Sequence, residues 1–78
     1  MPEEICFLCL LHNVGATSSD KSLTQDEISK WAVMEPEKVR ENLEKLIKTE
    51  YVHVNFKEGT QRYHVTVNGI RKVLSMYS

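Results

Sequence analysis

The sequence is short of the residues that staple, break or anchor a chain. Two cysteines in 78 residues cannot supply the disulfide framework of a small secreted domain. Two prolines and three glycines exclude collagen-like and Pro/Gly-rich low-complexity chains and leave room for uninterrupted helices. No run approaches the ~20 apolar residues of a membrane span. The longest apolar run, residues 5–11, is preceded by Glu3 and Glu4, whereas an export signal wants a basic start. The expectation is a cytoplasmic protein. A glycine-rich phosphate loop, paired catalytic carboxylates and a recognisable Ser/His/Asp set are also missing, so neither an enzyme nor a cofactor is expected.

What remains is 41% hydrophobic and 27% charged, an ordinary globular composition. The length predicts one domain over residues 1–78. A core this small stabilises a fold by only a few kcal/mol, which points to self-association as a further source. The net charge of −1 hides an asymmetry: residues 1–35 carry −4 and residues 36–78 carry +3. A basic second half suggests a polyanionic partner.

Glu3 and Glu4 after Pro2 suit the positive end of a helix dipole. The apolar helix that follows should be buried by more than one neighbour, with Gly15 as its stop. Residues 15–22 form a polar loop. Thr24-Gln25-Asp26-Glu27 reads as a capping box opening a short helix. The helix breaks at residues 33–35, before Pro36. Pro36 starts a longer helix, whose Val39, Leu43, Leu46 and Ile47 mark a buried stripe. Trp31, Met34 and Phe7 read as core.

Residues 51–56 and 61–65 alternate in polarity, and Glu58-Gly59 between them suits a two-residue hairpin turn. The register predicted is Val52 opposite Val65, Val54 opposite Tyr63 and Phe56 opposite Gln61. The polar face then pairs His53 with His64, Asn55 with Arg62 and Lys57 with Thr60. Thr66 caps a last helix with the stripe Ile70, Val73, Leu74 and Tyr77.

A short capped helix (TQDEISKWA), a tight turn into a longer one (EPEKVRENLEKLIKTEYV), a hairpin (VHVNFKEGTQRYHV) and TVNG opening a final helix together resemble the winged helix-turn-helix family. The resemblance spans roughly residues 3–77 and implies an α+β fold: a three-helix core, a two-stranded wing and a C-terminal helix. It also implies a transcription regulator that binds double-stranded DNA with the second helix of the motif in the major groove. A helix about 10–12 Å across fits a groove about 12 Å wide. Lys38, Asn42 and Lys45, flanked by Arg40 and Lys48, are then candidate contacts, with Asn42 suited to a base edge. The amides at Thr24 and Gln25 can hold a phosphate. On the wing, Asn55, Lys57 and Arg62 are candidates, the cations for a narrow minor groove. A homodimer is expected through Ile5, Phe7, Leu8, Leu11, Leu74 and Tyr77. The chain departs from the family at Glu37 and Glu41, which repel phosphates, and at Glu50, where relatives usually carry glycine.

Other readings attach to the same residues. The acidic second helix also suits a protein-interaction module, since fold does not fix function. Cys6, Cys9 and His12 share helical spacing, but a structural zinc site draws four ligands from separated segments. His53 and His64 lack a third ligand. No metal is expected at either place.

Overall fold

The computed structural model describes residues 1–77. The order is α1 (Glu3–Asn13), a 3-10 turn (Ser19–Lys21), α2 (Gln25–Ala32), α3 (Pro36–Lys48), β1 (Val52–Lys57), β2 (Thr60–Val65) and α4 (Val67–Ser75). The two strands form one antiparallel sheet. This is the α+β architecture that the winged helix-turn-helix resemblance implies. No helix among the described residues is long and apolar enough to cross a membrane.

The local signals act as their chemistry dictates. The Thr24 hydroxyl accepts from the Glu27 amide at 3.2 Å, and the Thr24 amide donates to Glu27 Oε1 at 2.9 Å, closing the capping box. Pro36 begins α3 behind an extended Glu35, as a residue before proline must be. Gly15 leaves α1 with φ +89°, and the Ala16 amide returns to the Leu11 carbonyl at 3.1 Å. The break after α2 comes at Val33, which adopts φ 50° and ψ 55°.

Phe7, Leu8 and Leu11 of α1 meet Ile28, Val39, Leu43, Leu46, Val52, Tyr63, Val65 and Val73 in one core. A buried side chain of this kind contributes about 1.5–3 kcal/mol. Trp31 does not join them. It stays 60% exposed, because α2 is a short helix that turns only Ile28 fully inward. On α4, Val73 is buried while Leu74 and Tyr77 stay exposed.

The hairpin register is the one its polarity requires, from Val52↔Val65 to Lys57↔Thr60. Glu58 and Gly59 both take positive φ, 53° and 78°, as a type I′ turn needs. On its far side β2 is tied to the loop before α2. Leu23 and Tyr63 exchange backbone bonds of 2.9 and 2.8 Å, and the Val65 amide donates to Ala16 at 2.7 Å. Tyr63 and Val65 therefore turn their main-chain groups away from β1. By the alternation of an antiparallel ladder, Val52, Val54 and Phe56 turn theirs to the open edge of β1.

Glu50 bends the chain from α3 into β1 with φ 64°. A side chain in this left-handed region costs roughly 1–2 kcal/mol, part of which glycine returns through its freer unfolded state. Glu50→Gly should therefore stabilise by about 0.5–1 kcal/mol, raising the thermal midpoint by roughly 2–8 °C. An unchanged or lower midpoint in a thermal melt would count against strain at this position.

Candidate nucleic-acid interface

Three elements converge on one side of the molecule: the start of α2, one stripe of α3 and the wing. Gln25 donates from Nε2 to the Pro36 carbonyl at 3.0 Å, which ties the start of α2 to the start of α3. A groove of about 240 Å³ runs between α3 and the wing, lined by Gln25, Arg40, Glu44, Ile47, Val54 and Gln61 among others. A second hollow joins Thr24, Gln25 and Asp26 to Phe56, Thr60 and Gln61. Phe56 is 71% exposed, because the apolar face of the hairpin runs beyond the core at its outer end.

Three of the four α3 cations are held by acids of the protein itself. Arg40 lies between Glu37 at 3.4 Å and Glu44 at 3.6 Å. Lys38 lies 3.7 Å from Glu3 and 3.9 Å from Glu41. Lys45 lies 3.9 Å from Glu4. Every side chain in these pairs is more than half exposed except Glu4, at 28%. Exposed pairs of this kind are worth little, about 0–1 kcal/mol, so a phosphate can compete for the cation.

The expected row of Lys38, Asn42 and Lys45 needs correction. These positions share a stripe, but it faces the start of α1. Asn42 is 1% exposed. Its Nδ2 donates to Glu3 Oε2 at 3.0 Å and to the Lys38 carbonyl at 3.1 Å. It joins helices and offers nothing to a base edge. The stripe toward the wing is instead Arg40, Glu44 and Ile47, one helical turn apart from each other.

Two wing candidates are also engaged internally. Asn55 Nδ2 donates to Ser19 Oγ at 3.1 Å. Arg62 donates from Nη2 to the Ser22 carbonyl at 2.8 Å and from Nε to Ser22 Oγ at 3.3 Å. Lys57 remains exposed at the tip. Sequence reasoning passed over Gln61, Phe56 and Glu44, which line these hollows. The signal for the first two was the outermost pair of the hairpin's apolar face, which lies too far from α3 to be buried.

The expected dimer face is corrected in part. Phe7, Leu8 and Leu11 are 3%, 0% and 1% exposed, spent on the protomer's own core. Ile5 is half-buried, while Leu74 and Tyr77 are 54% and 66% exposed.

His53 and His64 stand edge to face, with ring centroids 5.4 Å apart. Burial, and then the neighbouring His53, push the His64 imidazole below its usual value. Folding thus favours neutral His64. Stability is full above the unfolded-state pKa near ~6.5 and falls as pH drops from there through the lowered value. Urea midpoints should be higher at pH 7.5 than at pH 5, and His64→Gln should flatten that difference. Among the described residues no group of three or more His, Cys, Asp or Glu is placed to hold a metal.

No family model and no curated protein matches the chain. Among solved structures it is similar to the solution structure of the DNA-binding TubR fragment from Clostridium botulinum, with 27% identity and a TM-score of 0.82. The likeness covers 95% of this chain and 93% of that one. Helix order, hairpin and this likeness together make the chain a winged helix-turn-helix domain.

Proposed function

We propose that the chain binds double-stranded DNA in the cytoplasm and regulates transcription. In this reading α3 enters the major groove along the Arg40 stripe, with Lys48 beside it and Lys38 and Lys45 flanking toward phosphates. The Thr24 amide is taken by Glu27, so the amides of Gln25 and Asp26 behind that cap meet the backbone. The wing reaches the minor groove or the backbone with Lys57 and Thr60. The observation that carries the reading is the groove shared by α2, α3 and the wing, in a fold similar to that of a DNA-binding fragment over nearly its whole length. A homodimer through Ile5, Leu74 and Tyr77 would present two such helices to half-sites about 34–36 Å apart.

Binding to a short duplex, followed by fluorescence anisotropy, tests the reading. Affinity should fall steeply with salt, with log K against log [salt] sloping by about −0.9 per neutralised phosphate. No binding at 50 mM salt (roughly the low-salt end of such titrations) would overturn it.

One observation favours a second reading. Glu37, Glu41 and Glu44 stand exposed along α3, their side chains 82%, 57% and 63% accessible. A protein partner with a basic surface would suit that face, and recovery of a stoichiometric protein complex without DNA binding decides for it.

A further inference from the structure

We infer that Arg62 is a positioning residue that locks the wing to the start of α2, and that it does not itself contact phosphate. The inference deepens the DNA-binding reading and rests on it. Its basis is one continuous chain of bonds across the molecule. Asn55 on β1 donates to Ser19 Oγ at 3.1 Å. Ser22 Oγ donates to the Ser19 carbonyl at 2.7 Å, and Ser22 is 2% exposed. Arg62 on β2 reaches both Ser22 oxygens and lies 3.7 Å from Glu27 Oε1. That same Glu27 oxygen accepts the Thr24 amide.

The geometry separates two tasks. The base of β2 is fixed by main-chain bonds to Ala16 and Leu23. Farther out, where the hairpin leaves the core, only side chains fasten it among the described residues. Arg62 is the widest of these ties, because its planar fork spans a backbone carbonyl, a hydroxyl and a carboxylate at once. Lysine has one compact ammonium and cannot reproduce that set. The Arg62 side chain is 29% exposed, whereas that of Arg40 is 54% exposed. One of the two wing cations that the sequence offers for a minor groove is thus committed inward. It braces the wing against Ser22 and the first turn of α2, next to the main-chain bonds between Leu23 and Tyr63.

Three variants test this: Arg62→Ala, Arg62→Lys and Glu27→Gln. Amide hydrogen exchange in residues 53–64, measured without DNA, should speed up in Arg62→Ala while exchange in α1 and α3 stays slow. DNA affinity should fall about tenfold, the scale of one charge-assisted hydrogen bond. The salt slope should stay that of the wild type, and Arg62→Lys should not rescue. Glu27→Gln should weaken binding in the same direction, although it removes a negative charge. A salt slope reduced by about 0.9, with rescue by lysine, makes Arg62 a phosphate contact and overturns the inference. Unchanged wing exchange overturns it as well. If the wild-type chain binds no duplex, the DNA-binding reading fails, and the exchange measurement alone decides whether Arg62 holds the wing.

Discussion

Gly69→Ala should unfold the domain at a temperature roughly 10 °C below that of the parent chain, since each kcal/mol moves the midpoint of a small domain by several degrees. Gly69 sits in the first turn of α4, where the helix presses against the end of β2 and the bend after α3. A β-carbon there would run into the Tyr51 carbonyl oxygen and lie 2.6 Å from Val65 Cγ1. Neither neighbour can give way freely. The Tyr51 carbonyl accepts the Thr66 amide at 3.0 Å, and Val65 is fully buried. Overpacking of this kind costs about 1–3 kcal/mol. Alanine's better helix propensity returns roughly 1 kcal/mol, which leaves a net loss of about 2 kcal/mol at the upper end. For a core of this size that is a large share of the whole stability. Circular dichroism melts check it, with Gly59→Asn as the companion: nothing lies within 4 Å of a β-carbon at Gly59, and asparagine tolerates the left-handed backbone. Equal midpoints for Gly69→Ala and the parent would show that α4 can slide outward at no cost.

The second large effect concerns the acids of α3. Glu37→Gln with Glu44→Gln should raise affinity for duplex DNA about tenfold, since releasing Arg40 from two exposed ion pairs of ~0.7 kcal/mol each sums to one decade. Arg40 is the reason. It lies between those two carboxylates, on the stripe that lines the groove toward the wing. Freed, it can meet the polyanion with its full charge, so the salt slope should also steepen. Adding Arg40→Ala to the double variant should remove most of the gain. Glu3→Gln, by contrast, releases Lys38 on the α1 side and should matter less. If the double variant binds no better than the parent, the Arg40 stripe does not face DNA.

Much of the fold was legible because short-range chemistry decides it. The capping box at Thr24 and Glu27, the proline at position 36 and the alternation of residues 52–65 each have one good solution, and the fold adopts all three. Glu50 was legible as a strained position from the absence of glycine there. What the sequence concealed depends on which face of a helix its neighbours claim. Asn42 is polar and lies between two lysines, so it reads as surface. Only the approach of Glu3, 39 residues away, gives it a partner and lets it be buried. Arg62 looks like a free cation for the same reason. Its partners Ser22 and Glu27 come from another part of the chain, and no local pattern announces them. Trp31 misled in the other direction, because an aromatic at helical spacing is normally core, yet α2 is too short to bury a second large side chain.

The open margin of β1 has a consequence for how the protein behaves when concentrated. Main-chain groups at Val52, Val54 and Phe56 invite a stranger's strand, the ordinary beginning of sheet-to-sheet aggregation. Here the invitation is brief, since the margin is bracketed by Glu50 at one end and by Lys57 and Glu58 at the other. An incoming strand would have to seat itself between charges of both signs. Those three side chains act as gatekeepers of solubility, independent of whatever the adjoining groove binds.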